Sequence, residues 1–315
     1  MSNYQSLSAH VHHHSARDVH VSTGTMSAAM GVTLAFVIAE ALAGWLGNSL
    51  ALLSDAGHNF ADAGALGLSW YALKMATKPS HHGMTFGYHR VGVFAALINA
   101  VSLVVIALVI GGEAIERLHS PEPANGPLMI GVALAAIVVN GAISVRLHSG
   151  AKHDINVRGA YLHMVGDAIA AFGVVVAGVM VVATRSPVAD PVVSLLIAAL
   201  ILYSSYDVLR ESTAVLLEGT PAHVDMPSVI TAIKGAVGVL DVHDLHVWMV
   251  GPGVVACSCH IVVAEQSVRE GQQVLRTVAH DLEHQFGITH STIQVEVEGC
   301  EADDMYCTGR VHAKH

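Results

Sequence analysis

Six long apolar segments constrain the fold of this chain more than any other feature. They cover residues 26–46, 50–76, 91–118, 128–147, 161–183 and 188–209. Each is long enough to cross about 30 Å of hydrocarbon as a helix. In lipid, an α-helix satisfies its own backbone hydrogen bonds, whereas an open strand does not. The sequence therefore predicts an α-helical membrane protein in which residues 25–210 form six transmembrane helices.

The composition agrees with this class and excludes one kind of partner. Hydrophobic residues make up 53% of the chain and charged residues only 13%, which is typical of a membrane protein. The formal charge is −10, with 15 Lys and Arg and 22 His. Because phosphate backbones are bound by clustered Lys and Arg, we expect no nucleic-acid partner. An excess of acid with many histidines favours cations.

The distribution of basic residues predicts the orientation in the bilayer. Connections on one side carry Lys74, Lys78, Arg90, Arg146, Lys152 and Arg158, whereas those on the other side carry Arg117 and Arg185. Because cytoplasmic loops are enriched in Lys and Arg, both termini are predicted to be cytoplasmic. The helix-breaking turns at Gly47-Asn48 and at residues 121–127 would lie on the outer side. We expect a multi-pass protein of the cell (inner) membrane.

A His and an Asp four residues apart occur twice inside apolar segments, at His58 and Asp62 and again at His163 and Asp167. This spacing places both side chains on one face of a helix. Two such helices side by side would offer two imidazoles and two carboxylates to one ion, a set that suits zinc. Each pair could instead only stabilise the helix bundle. Recurrence without a nearby Lys or Arg favours a missing cation and predicts a metal site.

Other polar residues at membrane depth are Glu40, Asn99 and Asn140. Most residues of this kind face neighbouring helices. Glu40 could therefore either pack against a neighbouring helix or take part in the passage of ions or protons.

Residues 1–24 are polar and are predicted to form a disordered cytosolic tail. They contain His10, His12, His13, His14 and His20 and lack the apolar core of a signal peptide. The tail histidines either capture metal loosely or are simply solvated.

From Glu211 the composition becomes that of a small soluble domain. The pattern predicts a helix at 228–237, strands at 239–249 and 254–263, a helix at 268–286 and a strand at 292–297. This is a cytosolic α+β domain of order αββαβ over residues 211–299, followed by a tail at 300–315. A small sheet covered on one face suits pairing with a second copy, so we expect a homodimer.

The cysteines all lie in this second part of the chain. Cys257 and Cys259 fall on one face of a predicted strand and should pack in its core, while Cys300 and Cys307 lie in the polar tail, where thiolates could meet metal. No disulfide is expected in a reducing cytosol.

The histidines of this domain suggest a second site. His243 and His260 lie on consecutive predicted strands, and His290 and Glu296 share one face of the last strand. One interpretation is a cytosolic zinc site of His243, His260 and either His290 or Glu296. The other is that these are surface histidines without a ligand.

Several motifs together resemble those of one known family. They are Ser54-Asp55-Ala56-Gly57-His58 with Asp62, Phe86-Gly87-Tyr88-His89-Arg90, Gly159-Ala160-Tyr161-Leu162-His163 with Asp167, Leu216-Leu217-Glu218-Gly219, His243-Asp244-Leu245-His246-Val247-Trp248 and Thr292-Ile293-Gln294-Val295-Glu296. From about Met26 to Cys300 the chain resembles the cation diffusion facilitators, and most closely their bacterial zinc, cadmium and cobalt efflux branch. The resemblance implies a homodimer, a metallochaperone-like cytosolic fold, and a transport site of His58, Asp62, His163 and Asp167 in each protomer.

The resemblance also bears on two further sites. It implies another ion near His81, His82 and His89, against the alternative of a solvated cytosolic loop. Some relatives have a His where this chain has Ser267, and a His-x-Asp where it has Glu296 and Glu298, so the number of cytosolic ions stays open.

The expected function follows from competition for the intramembrane ligands. A metal needs neutral imidazole and ionised carboxylate, so protons and metal exclude each other there. Alternating exposure would then give a proton-coupled antiporter that exports zinc, with cadmium or cobalt as further substrates. Zinc is also the expected structural or regulatory ion of the cytosolic domain. The alternatives are a membrane-bound metalloenzyme, although His-Glu-x-x-His is absent, and a metal sensor, which would leave the intramembrane ligands without purpose.

Overall fold

The computed structural model describes residues 23–148 and 155–297. Its first part consists of six long helices: α1 Thr23–Leu46, α2 Leu50–Ala76, α3 Val91–His119, α4 Gly126–His148, α5 Ile155–Thr184 and α6 Ala189–Leu216. Five predicted apolar segments lie inside these helices, and the sixth starts one residue before α6. The predicted tails at 1–24 and 300–315, with Cys300, Cys307 and the histidines from His10 to His20, lie almost wholly outside the described residues.

Four of these helices are long and apolar enough to cross a membrane: α3, α4, α6 and the Tyr161–Thr184 part of α5. In α1 the described apolar stretch, Thr33–Leu46, is shorter, and α2 carries the polar block around His58. Large side chains such as Leu108, Val145 and Tyr203 project outward from the helices. An apolar outer surface of this extent fits contact with lipid, so the chain is a membrane protein.

Small residues allow the helices to pack closely. Helix α3 packs on α2 and α6, α4 packs on α5, and α1 packs on α2. A Cβ atom at Gly126 would lie 2.7 Å from the carbonyl oxygen of Gly178, so α4 and α5 cross almost backbone to backbone. Such close approach is typical of helices that associate in membranes.

The second part of the chain contains α7 Met226–Gly235, β1 Val239–Gly251, β2 Val254–Val263, α8 Val268–Phe286 and β3 Ile288–Glu296. The predicted order αββαβ is found. The start predicted for β3 was wrong by four residues, because Gly287 ends α8 in the left-handed conformation and the chain enters the strand at once. In the sheet β1 pairs antiparallel with β2, and β2 pairs parallel with β3.

The core of this small domain lies between its sheet and its two helices. Ile233 of α7 and Leu282 of α8 pack on buried residues of the strands, among them Leu245. Cys257 and Cys259 are 0% and 1% exposed, which confirms the prediction that they belong to the core.

Candidate metal centre

Helices α2 and α5 bring together the four residues of the two His-x-x-x-Asp pairs. The Nε2 atom of His58 lies 3.5 Å from Asp62 Oδ2 and 3.5 Å from Asp167 Oδ1. The Nε2 atom of His163 lies 3.2 Å from Asp62 Oδ2 and 3.7 Å from Asp167 Oδ2. Each imidazole therefore contacts a carboxylate of its own helix and one of the other helix.

The spacing of these ligand atoms matches the requirement of a tetrahedral ion. Zinc bonds to nitrogen and oxygen ligands are about 2.0–2.2 Å long, which gives tetrahedral edges of about 3.3–3.6 Å. The N–O separations of 3.2 to 3.7 Å are close to those edges, although Asp167 faces His58 with Oδ1 and His163 with Oδ2. The Oδ2 atom of Asp62 is buried and lies between the two imidazoles. One ligand atom from each of the four residues lies within 4.8 Å of the others.

Burial makes the site asymmetric. The side chain of Asp167 is 6% exposed and that of His58 is 18% exposed, whereas that of His163 is 42% exposed. The cross-helix contacts are as short as those within each helix. Pairing within single helices therefore does not describe the site, and His163 is the most exposed of its four ligands.

A second cluster lies on the sheet of the small domain. The carboxylate of Glu296 bridges two imidazoles, with Oε2 3.2 Å from His243 Nε2 and Oε1 3.0 Å from His260 Nδ1. The register of the strands explains the cluster. His243 of β1 is directly opposite His260 of β2, and Glu296 of β3 pairs with Val262 of β2. Two imidazoles and one carboxylate thus lie within 4.8 Å of one another.

Sequence reasoning missed Asp244, the residue after His243. It adopts a left-handed conformation with φ of 50°, where the register of β1 shifts between His243 and His246. Its carboxylate lies 3.1 Å from His246 Nε2 and 3.8 Å from His260 Nε2. The alternation of residues along a strand does not predict this position of Asp244, because the register shift in β1 interrupts the alternation.

His290 does not join this cluster. It shares a strand face with Glu296, but six residues of strand separate them by about 20 Å. Its ring instead packs edge-on against Phe86, with centroids 5.5 Å apart. Of the two sequence alternatives for the third ligand, the geometry favours Glu296.

His81 and His89 of the α2–α3 loop, residues 77–90, make separate contacts. Both ring nitrogens of His81 are engaged: Nδ1 accepts from the Gly83 amide at 3.1 Å, and Nε2 lies 3.0 Å from the Tyr88 hydroxyl. His89 packs instead against Gly251 at the end of β1. Within residues 23–148 and 155–297, His81, His82 and His89 belong to no group of three or more potential ligands close enough to share an ion.

The two parts of the chain match known family models. Residues 26–217 match the cation efflux transmembrane domain, and residues 221–298 match the cytoplasmic domain of cation efflux proteins.

Three curated relatives are similar over most of their length. The chain is 40% identical to the cadmium, cobalt and zinc/H(+)-K(+) antiporter of Bacillus subtilis (strain 168), over 85% of this chain and 87% of the relative. It is 35% identical to the zinc transporter ZitB of Escherichia coli (strain K12), over 91% of this chain and 92% of the relative. It is 36% identical to the metal cation efflux system protein CzcD of Cupriavidus metallidurans, over 89% of this chain and 88% of the relative.

Proposed function

Because this chain belongs to the cation efflux family of transporters, we propose that it exports divalent transition-metal ions from the cytoplasm in exchange for protons. The observation that carries this is the convergence of His58, Asp62, His163 and Asp167. Zinc is the main substrate, since the Escherichia coli relative is named a zinc transporter, and cadmium and cobalt are further ones, since the name of the Bacillus subtilis relative includes them. The sequence-based assignment to the cation diffusion facilitators is confirmed, and the chain is a transporter rather than an enzyme.

The geometry supports exchange at a single set of atoms. A neutral imidazole can give its Nε2 lone pair to zinc, whereas an imidazolium cannot. Once protonated, His163 forms an ion pair with Asp62 at 3.2 Å, and His58 forms one with Asp167 at 3.5 Å. The same contacts therefore stabilise the site with protons or with metal, but not with both. Zinc enters from the neutral cytoplasm and leaves when protons return from a more acidic exterior.

Six spans with cytoplasmic termini, in the cell (inner) membrane, are part of the proposal. The turn after α1 and the connection after α3 meet at one surface, where the Asn125 amide donates to the carbonyl oxygen of Gly47 at 2.8 Å. The side chain of Asn48 donates to Glu122 at 2.9 Å on the same surface. The α2–α3 loop lies at the opposite end, against the small domain. We propose the domain limits 1–24, 25–210, 211–299 and 300–315 on this basis.

A second zinc ion, structural or regulatory, is proposed for the cytosolic domain. His243, His260 and Glu296 are its ligands, and Asp244 is the nearest further carboxylate. The buried His243 Nε2 has no hydrogen-bond partner, which suits a nitrogen that serves as a ligand. The family model that residues 221–298 match is named as a dimer domain, which supports a homodimer.

Zinc flux into proteoliposomes under an imposed pH gradient tests the proposed function. The unaltered chain should carry zinc against protons, and His58→Ala or Asp167→Ala should abolish flux while the protein remains folded. His82→Ala, at an exposed loop histidine, is the matched control and should transport normally. A parallel series with and without potassium tests whether potassium joins the exchange, as the name of the Bacillus subtilis relative states for that protein. Absence of flux for zinc, cadmium and cobalt would refute the proposal.

A further inference from the structure

Two buried carboxyl groups lie beside the four-ligand site without belonging to it. Glu40 of α1 is 0% exposed and Asp55 of α2 is 2% exposed. Their carboxyl groups are within hydrogen-bonding reach of each other. Glu40 Oε2 accepts a hydrogen bond from Asn59 Nδ2 at 3.0 Å, whereas Glu40 Oε1 is buried without any donor.

Within the part of the chain that the structure describes, no Lys or Arg acts on this pair. The charged or titratable groups that act on it are His58 on α2 and Asp167 on α5. Helix α4 also packs on α1, but its basic residues, Arg146 and His148, lie in its last turn. Ionising both carboxyl groups so close together in a buried site is strongly unfavourable. A single proton between them supplies the donor that Glu40 Oε1 lacks.

The pair is connected to the metal ligands along one helix. Asp55, Asn59 and Asp62 recur at spacings of three and four residues, so they lie along one side of α2. Asn59, which is hydrogen-bonded to Glu40, is the residue next to His58. A divalent ion held by His58 and Asp167 adds positive charge close to the pair, and that charge favours release of its proton.

We propose that Glu40 and Asp55 together hold one proton and release it when metal occupies the four-ligand site. This rests on the proposed proton-coupled export, and it adds a proton carrier that is not a metal ligand. By linkage, a proton on the pair weakens metal binding as much as metal weakens retention of the proton. Protonation from the exterior therefore helps to expel the ion.

Proton release on zinc binding tests this in the full-length protein, in weakly buffered detergent with a pH indicator. Glu40→Gln keeps the volume and an acceptor for Asn59, and Asp55→Asn replaces the shared proton by an amide N–H. Each variant should bind zinc and release about one proton fewer per zinc than the unaltered chain. Glu113→Gln, at an exposed carboxylate of α3, should release the same number as the unaltered chain.

The outcomes separate this proposal from the proposed function. No proton release from the unaltered chain would contradict proton coupling itself. Normal release from the unaltered chain with equal release from Glu40→Gln or Asp55→Asn would overturn the carboxyl pair alone. If neither variant folds, infrared difference spectra of the unaltered chain decide. Zinc must then remove the C=O band of a protonated carboxyl group, and an unchanged band would overturn the pair.

Discussion

The Ser49 hydroxyl, at the N-cap of α2, donates a 2.6 Å hydrogen bond to Asp190 Oδ1 in the first turn of α6. The same carboxylate accepts from the amides of Leu50 at 2.8 Å and Ala51 at 3.2 Å. A buried carboxylate at a helix N-terminus satisfies amides that have no partner within the helix, and it meets the positive end of the helix dipole. Helix α6 thereby fixes the start of the helix that carries His58 and Asp62.

We predict that Asp190→Ala destabilises the membrane domain. Removing the carboxylate leaves buried donors unpaired, at a cost of about 1–3 kcal/mol for each group. Thermal denaturation in detergent should therefore occur at a clearly lower temperature. Asp207→Ala, at an exposed position of the same helix, is the control and should denature with the unaltered chain. Identical curves for the two variants would contradict this role of Asp190.

Contact between the α2–α3 loop and the small domain should depend on Gly251. A Cβ atom there would lie 2.6 Å from His89 Cβ and 2.9 Å from its carbonyl oxygen. Gly251→Ala should therefore loosen the loop, and hydrogen exchange of residues 77–90 should become faster. Gly235→Ala, where a Cβ meets nothing within 4 Å, is the matched control. Unchanged exchange in Gly251→Ala would show that the loop does not depend on this contact.

Local patterns were sufficient to predict much of this molecule. The pairing of His58 with Asp62, and of His163 with Asp167, is visible because helical spacing is local. The order αββαβ follows from alternation and helical periodicity for the same reason. What the patterns could not predict depends on packing between distant segments. Asp190 gives no local sign that it caps another helix.

The cytosolic cluster shows the same limit. Alternation placed His290 and Glu296 on one face but could not say which of them meets His243. The parallel pairing of β2 with β3 decides it, since it sets Glu296 beside Val262. Asp244 was missed because a single irregularity in β1 changes which way its side chain points.

Zinc binding by the cytosolic domain should distinguish Glu296 from His290. Glu296→Gln removes the carboxylate that bridges two imidazoles, so the number of zinc ions bound per chain should fall by about one. His290→Ala, on the same strand but packed against Phe86, should bind as many ions as the unaltered chain. Isothermal titration of the full-length protein provides both numbers. Equal loss in the two variants would contradict the proposed ligand set.

Cys257 should be unreactive in the folded domain. A hydrogen bond with Cys259, together with burial, raises the pKa of the Cys257 thiol, and only the thiolate reacts with alkylating agents. In a Cys300→Ser, Cys307→Ser background, iodoacetamide at mildly alkaline pH should label neither remaining cysteine until denaturant is added, because both side chains are at most 1% exposed. Labelling of the folded chain as fast as the denatured chain would show that this core is open.

The intramembrane ligands should matter far more than the N-terminal tail. His58→Ala and His163→Ala remove ligands, and each should lower zinc flux at least about tenfold. Deletion of residues 1–24 removes only loosely placed histidines and should have a mild effect. Initial rates of zinc flux in proteoliposomes at saturating zinc measure the effect of the His→Ala variants and of the tail deletion. Loss of flux on tail deletion alone would contradict the accessory role of the tail.

The central claim, that His58 and His163 are transport ligands, is tested most directly by changing both to Asp. The site then offers only oxygen, which manganese accepts, whereas imidazole favours zinc. The ordinary pKa of a carboxylic acid is also about two units below that of imidazole. Competition uptake of labelled zinc against manganese, between about pH 5 and pH 8, compares this variant with the unaltered chain. We predict weaker preference for zinc and a transport optimum at lower pH; unchanged preference with an unchanged pH profile would contradict the claim.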